Sequence, residues 1–337
     1  MNTVFGVKGA LAMALLLMVF ASCDRDLEPE GPSLFDRFGP FEVLDSLEKS
    51  TTTVDFSAGE SVSFTAEFNK NIDWVVTITG QTSGGVKILS DFGSTVTPAN
   101  ATWEGRTTDL PLFREETCMV VLTVPEEPDF ADTVMVEVTG TRVYEGVLIT
   151  DFEEPAGANI ELGDFEFELQ NSGRLDDTTA AQGDFFFRLA GTDNATGGAT
   201  DNFFVGLANI FAPITGSEFF QVPTTVPENL YLNMFVAGRA TPYTRVVLGL
   251  IIDSNNNGTF QDGQDAILAL EFDPTYTGYR LQSFSAAEFG ATQDDLEKVI
   301  GIQAVLISLN NLQPTPREQV GFEMDYLIFT QNGPLEL

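Results

Sequence analysis

The chain has 337 residues, with 16 Lys and Arg against 50 Asp and Glu, no His, and a formal net charge of −34. Such an acidic excess disfavours binding to nucleic acid and docking on anionic lipid, since both need clustered positive side chains. The absence of His excludes Ser-His-Asp catalysis, Cys-His catalysis and His-ligated zinc sites.

The first 23 residues are typical of a bacterial export signal. Lys8 supplies the positive charge near the start, and an unbroken apolar run over residues 10–21 follows it. This run is shorter than the roughly 20 apolar residues of a membrane-spanning helix and has the length of a signal-peptide core. The ending Phe20-Ala21-Ser22-Cys23 resembles the lipobox of bacterial lipoproteins, although that family usually has Leu where Phe20 stands.

The lipobox resemblance implies that residues 1–22 are a lipoprotein signal peptide and that Cys23 carries the lipid anchor in the outer membrane. The alternative is an ordinary signal peptide with an incidental Cys. Acids, Pro and Gly are frequent in residues 23–50, which predicts an acidic tether without a core of its own. The acids after Cys23 resemble the surface-export signal of Bacteroidetes lipoproteins and favour the cell surface; a solvated linker is the alternative.

Residues 51–141 alternate strand patterns with turn residues, as in a β-sandwich. The clearest alternation predicts one buried strand face, formed by Val62, Phe64, Ala66 and Phe68. The pattern resembles the small immunoglobulin-like modules of Bacteroidetes surface proteins. Cys118 lies in an apolar strand pattern and is predicted to be a buried thiol rather than a nucleophile.

Residues 145–337 contain about nine apolar strand patterns separated by polar loops, which fits a jelly roll. Three segments resemble the galactose-binding-like jelly rolls of carbohydrate-binding modules: Asp151-Phe-Glu-Glu154, residues 183–191, and the acidic closing strand at residues 323–329. The resemblance implies glycan binding. The chain is therefore predicted to be all-β, with an N-terminal immunoglobulin-like β-sandwich followed by a jelly-roll β-sandwich.

The loop at residues 253–265 carries oxygen-bearing side chains at alternate positions, followed by a glycine and two further acids. Calcium takes 6–8 oxygen ligands, and such spacing followed by a tight turn is how a single loop wraps the ion. The first half follows the EF-hand spacing, but Gln264 stands where that motif has a bidentate Glu. A polar Asn-Gly turn without metal is the alternative. The predicted calcium ligands are Asp253, Asn255, Asn257, Thr259, Asp262 and Asp265.

A second calcium site is implied by the jelly-roll resemblance. Many modules of this kind hold a structural calcium between early acids and the last strand, which here correspond to Asp151 or Glu153, a loop carbonyl near Asp184, and Asp325. The alternative is that these acids lie at solvated strand ends.

Glycan binding needs an exposed aromatic ring with polar groups around it, and loops on a rigid scaffold are where such rings concentrate. Tyr243 and Tyr276 lie in loops that flank strands, and Trp103 lies in the segment Ala101-Thr-Trp-Glu-Gly105. Each ring is a weak candidate, since packing into the ends of the sandwich explains it as well.

These observations lead to one hypothesis and two rivals. The leading hypothesis is a non-catalytic surface lipoprotein that binds glycan or polysaccharide and is stabilised by calcium. The first rival is a structural or adhesive envelope protein that binds a protein partner. The second is a polysaccharide-degrading enzyme, which would need two suitably spaced carboxylates, but no pair of acids stands in a recognisable motif.

Overall fold

The computed structural model describes residues 39–153, 159–164, 168–192, 203–212 and 219–337. The predicted signal peptide, Cys23 and most of the tether lie outside the described residues. Regular structure is almost entirely β, which confirms the predicted fold class. The helical elements of the described residues are one 3-10 turn, Phe56–Ala58, and one short helix, α1, Gln293–Leu296. Among these residues no helix is long and apolar enough to cross a membrane.

The first seven strands form the N-terminal unit. They are β1 (Val43–Lys49), β2 (Thr53–Asp55), β3 (Val62–Gly80), β4 (Val86–Val96), β5 (Thr102–Trp103), β6 (Thr117–Thr123) and β7 (Ala131–Gly140). The order β1-β3-β6-β7-β2 runs through the sheet, and β4 and β5 also pair with β3. The pairing of β2 with β7 is parallel, whereas β6 pairs with β7 antiparallel.

Strand β3 shows why this unit has a core. The predicted face of Val62, Phe64, Ala66 and Phe68 is buried, and alternation resumes with Ile72, Trp74, Val76 and Ile78. One side of the strand therefore buries apolar side chains over its whole length, at about 25 cal/mol per Å² of apolar surface removed from water. Cys118 joins this core as a free, buried thiol, and burial, followed by the charges of Glu116 and Glu137, raises its pKa to about 12.

The buried side chain of Glu116 holds the loop between β3 and β4 in place by hydrogen bonds. It is 5% exposed, and its carboxylate accepts hydrogen bonds from the backbone N–H groups of Thr82 (2.5 Å), Ser83 (2.9 Å) and Arg114 (3.0 Å) and from the Ser83 hydroxyl (2.5 Å). Burial alone would raise the pKa of Glu116, but these hydrogen bonds outweigh it and the net shift is downward.

The remaining strands form the C-terminal sandwich of two antiparallel sheets. The six-stranded sheet contains β8 (Val147–Thr150), β10 (Gly173–Leu175), β11 (Phe186–Gly191), β13 (Leu230–Arg239), β16 (Thr277–Ser285) and β18 (Val320–Gln331). The five-stranded sheet contains β9 (Asn159–Asp164), β12 (Phe203–Phe211), β14 (Thr244–Ile252), β15 (Ala266–Phe272) and β17 (Val299–Ser308). The chain crosses between the sheets at most of its connections, as in a jelly roll, and the inner faces enclose one apolar core.

A β-bulge in β18 changes which side chains reach the outer face of the six-stranded sheet. Register against β13 shifts between the pairs Asn233↔Ile328 and Phe235↔Asp325, and Tyr326 has a φ of 47°. The extra residue reverses the alternation, so Met324 and Leu327 both face the core while Asp325 and Tyr326 share the outer side.

The N-terminal unit covers part of that outer face. Leu112 and Tyr144 pack in one apolar cluster with Phe235 and Tyr326. The Tyr326 ring stacks on Phe235 with centroids 5.3 Å apart, and Tyr144 meets it edge-on at 6.0 Å. The Leu112 N–H also donates to the carbonyl oxygen of Ala181 at 2.7 Å, which joins the two parts through main chain.

Replacing Glu116 by Ala should lower the free energy of unfolding by about 2–4 kcal/mol, because three backbone N–H groups lose a charged acceptor. Glu67, which is exposed on β3, is the matched control, and its replacement by Ala should change stability by less than about 0.5 kcal/mol. Urea denaturation measures the free energy of unfolding of both variants. Equal losses of stability would contradict the role assigned to Glu116.

The stabilisation by Glu116 should also depend on pH. Its folded-state pKa lies below the ordinary value of 4.5, so its contribution is present above that value and is lost as pH falls through the lowered pKa. The stability difference between the wild type and Glu116→Gln should therefore shrink in acid. A difference that stays constant from neutral pH into acid would refute this.

Candidate functional site

A groove of about 510 Å³ opens on the outer face of the six-stranded sheet, beside the area that the N-terminal unit covers. We call it the sheet groove. Its walls are Leu110 and Pro111 of the N-terminal unit and the loop at residues 178–180. The floor comes from residues 237–239 on β13, residues 277–279 around the start of β16, and the outer side of β18 at Glu323. Apolar surface exceeds polar surface in this lining, as in most ligand sites.

A charged network continues from the floor of the groove. Strands β11 and β18 pair with Arg188 opposite Glu323, and the Arg188 guanidinium donates to Glu323 Oε1 from Nε (2.9 Å) and Nη2 (2.6 Å). The same guanidinium binds both oxygens of Asp177, at 2.7 and 2.9 Å. The Tyr279 hydroxyl donates to Glu323 Oε2 at 3.3 Å. Each polar group is thus held in place by a neighbour, which pre-orients the site.

The electrostatics of this network follow from burial and pairing. Burial lowers the pKa of Arg188, but its hydrogen bonds and attraction to Asp177 and Glu323 outweigh that effect and leave the pKa raised. Burial, with the negative charges of Glu323 and Asp325, raises the pKa of the Tyr279 phenol. Tyr279 is therefore a neutral hydrogen-bonding group at physiological pH, and it presents a partly exposed ring to the groove.

The three aromatic residues that the sequence suggested lie elsewhere. Trp103 is fully buried between Phe56 and Phe113, with ring centroids 4.7 and 4.6 Å away, so it has no free face for a ligand. Tyr243 is 6% exposed, belongs to the core of the C-terminal sandwich, and hydrogen-bonds Glu318. Both rings therefore follow the packing alternative.

Tyr276 is half-buried, but its contacts are on the other side of β16 from the groove. Its hydroxyl accepts a hydrogen bond from Gln282 at 2.9 Å, and the Arg280 guanidinium lies 4.4 Å from its ring centre. Tyr279 and Leu281 alternate with these residues and face outward. Tyr279, which lines the groove, therefore lies three residues after Tyr276, the ring that the sequence suggested.

The loop at residues 253–265 is closed by its own hydrogen bonds. Asp253 is fully buried and accepts from the N–H groups of Asn257 (3.2 Å) and Gly258 (2.7 Å). Asp265 accepts from the N–H groups of Ser254 (3.0 Å) and Gln261 (2.6 Å). These side-chain to backbone hydrogen bonds order the loop. The side-chain amides of Asn255 and Asn257 donate to Gln261 Oε1, at 3.1 and 3.0 Å. Calcium at this loop stays a prediction, with Thr259 and Asp262 as its other two predicted ligands.

The acids of the second predicted calcium site accept hydrogen bonds from backbone N–H groups. Glu153 Oε1 accepts from the N–H groups of Asp184 (2.8 Å) and Phe185 (2.9 Å), and Asp151 accepts from the Glu153 N–H (3.2 Å). Asp325 is fully buried and accepts from the Gln182 N–H at 2.8 Å. Burial chiefly, with the negative charge of Glu153, raises the pKa of Asp325 well above its ordinary value.

A buried carboxylate beside further carboxylates is a donor set that suits a hard cation. However, across the described ranges no three acidic, Cys or His side chains converge as a metal site requires. The chemistry of the set fits calcium better than its geometry does. A calcium ion there also stays a prediction.

Comparison with known proteins gives structural similarities only. No protein-family model matches the sequence, and no curated protein matches it. A carbohydrate-binding module of the β-sandwich superfamily, studied for promiscuous specificity, is 10% identical over 86% of this chain and 98% of that chain, with a TM-score of 0.36. The family 11 carbohydrate-binding module from Clostridium thermocellum, in complex with a β-1,3-1,4-mixed-linked tetrasaccharide, is 12% identical over 58% of this chain and 99% of that chain, with a TM-score of 0.37.

A third similar structure is SGBP-B from a complex xyloglucan utilization locus in Bacteroides uniformis. It is 12% identical over 87% of this chain and 73% of that chain, with a TM-score of 0.37. At TM-scores and identities this low, the similarities do not assign a function.

Sequence reasoning missed the residues that line the sheet groove, although a signal for Glu323 and for its partner Arg188 was present. Arg188 and Glu323 stand in two of the three segments that resemble the jelly-roll modules. The pairing of those strands is what brings the two side chains together. Arg239 and the wall at Leu110 had no such signal, because they come from distant parts of the chain.

The burial of Asp325 predicts an unusual pH dependence. Because its folded-state pKa is raised above the ordinary 3.8, its protonated form favours folding, and that contribution disappears as pH rises through the folded pKa. In EDTA, the wild type should therefore lose stability relative to Asp325→Asn between about pH 4 and neutrality. Thermal melts of both proteins measure this. A constant difference across that range would contradict the burial argument.

Proposed function

We propose that this protein is a lipid-anchored cell-surface protein that binds glycan through the sheet groove without catalysing a reaction. The observation that carries the proposal is the groove itself, in which an apolar lining, a partly exposed tyrosine and pre-oriented polar groups share one concave surface. Sugars offer apolar C–H faces and polar hydroxyl groups, so they need both kinds of contact. A volume of about 510 Å³ lies within the range of small-ligand sites.

The roles of the groove residues follow from their contacts. The ring of Tyr279 offers an apolar face for a sugar ring, and its hydroxyl and Glu323 offer hydrogen bonds. Thr178, Thr179 and Thr277 add hydroxyl groups to the lining. Glu323 is occupied by Arg188 and Tyr279, an arrangement suited to fixed hydrogen bonding rather than to proton transfer.

The N-terminal unit takes part in this site. Leu110 and Pro111 form a wall of the groove, and the neighbouring Leu112 is fixed to Ala181 by a main-chain hydrogen bond. The outer face beyond that wall is covered by the apolar cluster around Phe235. A glycan chain therefore cannot continue across the whole sheet, which favours binding of a chain end or a short segment.

Calcium belongs to the proposal as a structural ion. Bound near Asp151, Glu153 and Asp325, it would supply positive charge beside the buried Asp325 carboxylate. Its role would be to order the loop at residues 178–185, which contributes the groove wall.

Blocking the groove should weaken glycan binding. Thr277→Trp places a large ring at the groove floor, and Ala269→Trp places one on an exposed position of β15 in the other sheet as a matched control. The detergent-solubilised lipoprotein would be applied to a polysaccharide array. We expect selective binding by the wild type and the control, and at least a tenfold loss for Thr277→Trp, about 1.4 kcal/mol.

Two results would contradict the glycan-binding proposal. No binding across the array would favour the envelope-partner hypothesis, and equal binding by both Trp variants would place the site outside the groove. Release of shortened oligosaccharides from any bound polysaccharide would favour the enzyme hypothesis instead.

The lipid anchor should depend on Cys23. Cys23→Ser removes the thiol on which lipid is built, so the protein should move from the membrane fraction to the soluble fraction of the producing bacterium. Cys118→Ser is the control, because that thiol is buried in the N-terminal core. Retention of Cys23→Ser in the membrane would refute lipidation at this residue.

A further inference from the structure

Arg239 is the cation of the sheet groove that is not held by a carboxylate in the described residues. It ends β13 and lines the groove floor, half-buried. Its Nη1 donates to the amide oxygen of Gln319 at 2.7 Å. A Cβ at Gly321 would lie 2.9 Å from Arg239 Nε, so the side chain lies across this glycine on the outer face of the sheet.

The neighbouring charges do not neutralise Arg239. Glu323 is bound by Arg188, whose positive charge in turn repels Arg239. Burial is the main reason that the pKa of Arg239 is lowered, and Arg188 adds to this effect while Glu323 opposes it. A half-buried guanidinium facing a neutral amide loses hydration without gaining a counter-charge.

An anion in the groove would correct this imbalance. Guanidinium groups bind carboxylates and other oxyanions through two parallel N–H···O bonds, and such charged hydrogen bonds are about twice as strong as neutral ones. The groove supplies the rest of a sugar site, with the Tyr279 ring and the small residue Gly238 beside Arg239.

We propose that the sheet groove selects glycans that carry an anionic substituent, a uronate carboxylate or a sulfate ester, and that Arg239 binds this group. This inference rests on the proposed function, because it names the class of ligand for the same groove. The shared chemistry is an oxyanion on a sugar ring, and the test separates its two sources.

The overall charge of −34 limits which acidic glycans can bind, because the protein repels other anions at long range. A densely charged polyanion is repelled at long range, whereas one isolated anion is attracted locally by Arg239. Repulsion between exposed charges is screened over about 8 Å at physiological salt, so binding of a polyanion should strengthen as salt is added from a low level. A glycan with sparse acidic residues should show less of this salt effect.

The test compares Arg239→Ala with the wild type on matched pairs of oligosaccharides. One set contains uronate oligosaccharides and their carboxyl-reduced neutral counterparts, and a second contains sulfated oligosaccharides and their desulfated counterparts. The matched control is Arg245→Ala, which removes the same charge from β14, where Arg245 is paired with Glu271 and Asp273 outside the groove. Arg239→Lys keeps the positive charge but cannot form the two parallel N–H···O bonds of a guanidinium. It allows the inference to be tested even if Arg239→Ala fails to fold.

We expect the wild type to bind one acidic set better than its neutral counterparts. Arg239→Ala should lose at least about tenfold affinity for the acidic forms only, with Arg239→Lys intermediate and Arg245→Ala within about twofold of the wild type. Preference for uronate or for sulfate identifies the source of the anion.

Equal binding of neutral and acidic oligosaccharides, with no effect of Arg239→Ala, would overturn this inference. The proposed function would still stand. Acidic glycan binding that Arg239→Ala and Arg239→Lys do not change would also overturn it. No binding of any oligosaccharide would defeat the proposed function, and this inference with it.

Discussion

The docking of the N-terminal unit on the outer face of the six-stranded sheet is the contact on which the rest of the site depends. The stacked pair of Tyr326 and Phe235 receives Leu112 and Tyr144, and the hydrogen bond from Leu112 to Ala181 fixes the loop that carries Gln182. Gln182 in turn donates to the buried Asp325. Apolar burial at this contact thus decides three things together: the wall of the sheet groove, the position of its loop, and the desolvation of a carboxylate.

The docking of the N-terminal unit also limits how much of the outer sheet face is open to a ligand. An open sheet face would let a long chain lie across all six strands, but here the part around Phe235 and Tyr326 is occupied by the chain itself. What remains is a bounded groove with a charged network at one side. The N-terminal unit therefore forms part of the sheet groove. Its contribution to the groove is one of shape, since Leu110 and Pro111 have apolar side chains.

Charged side chains interact weakly on the surface of this protein and more strongly in and beside the groove. Most acids among the described residues are exposed, where water and salt screen them. Arg188, Glu323 and Arg239 are partly or largely removed from water, and their interactions are correspondingly stronger. Selection of an anionic sugar by a strongly acidic protein is therefore physically consistent, because the local field of a half-buried guanidinium acts at contact distance.

The amino-acid sequence by itself determined the elements of this protein. Alternation with period two placed Val62, Phe64 and the rest of that strand face in a core, and the run of strand patterns predicted an all-β chain, because side-chain burial in a strand is a local property. The tertiary structure alone decided the site. The bulge at Tyr326 moved Asp325 and Tyr326 to one face, where strict alternation puts Asp325 with Leu327. Trp103 was a candidate for either an exposed or a buried ring and is buried, whereas Tyr279, which no sequence pattern marked, lines the groove. Burial and juxtaposition depend on which strands pair and which surfaces meet, and those are long-range interactions that no local pattern encodes.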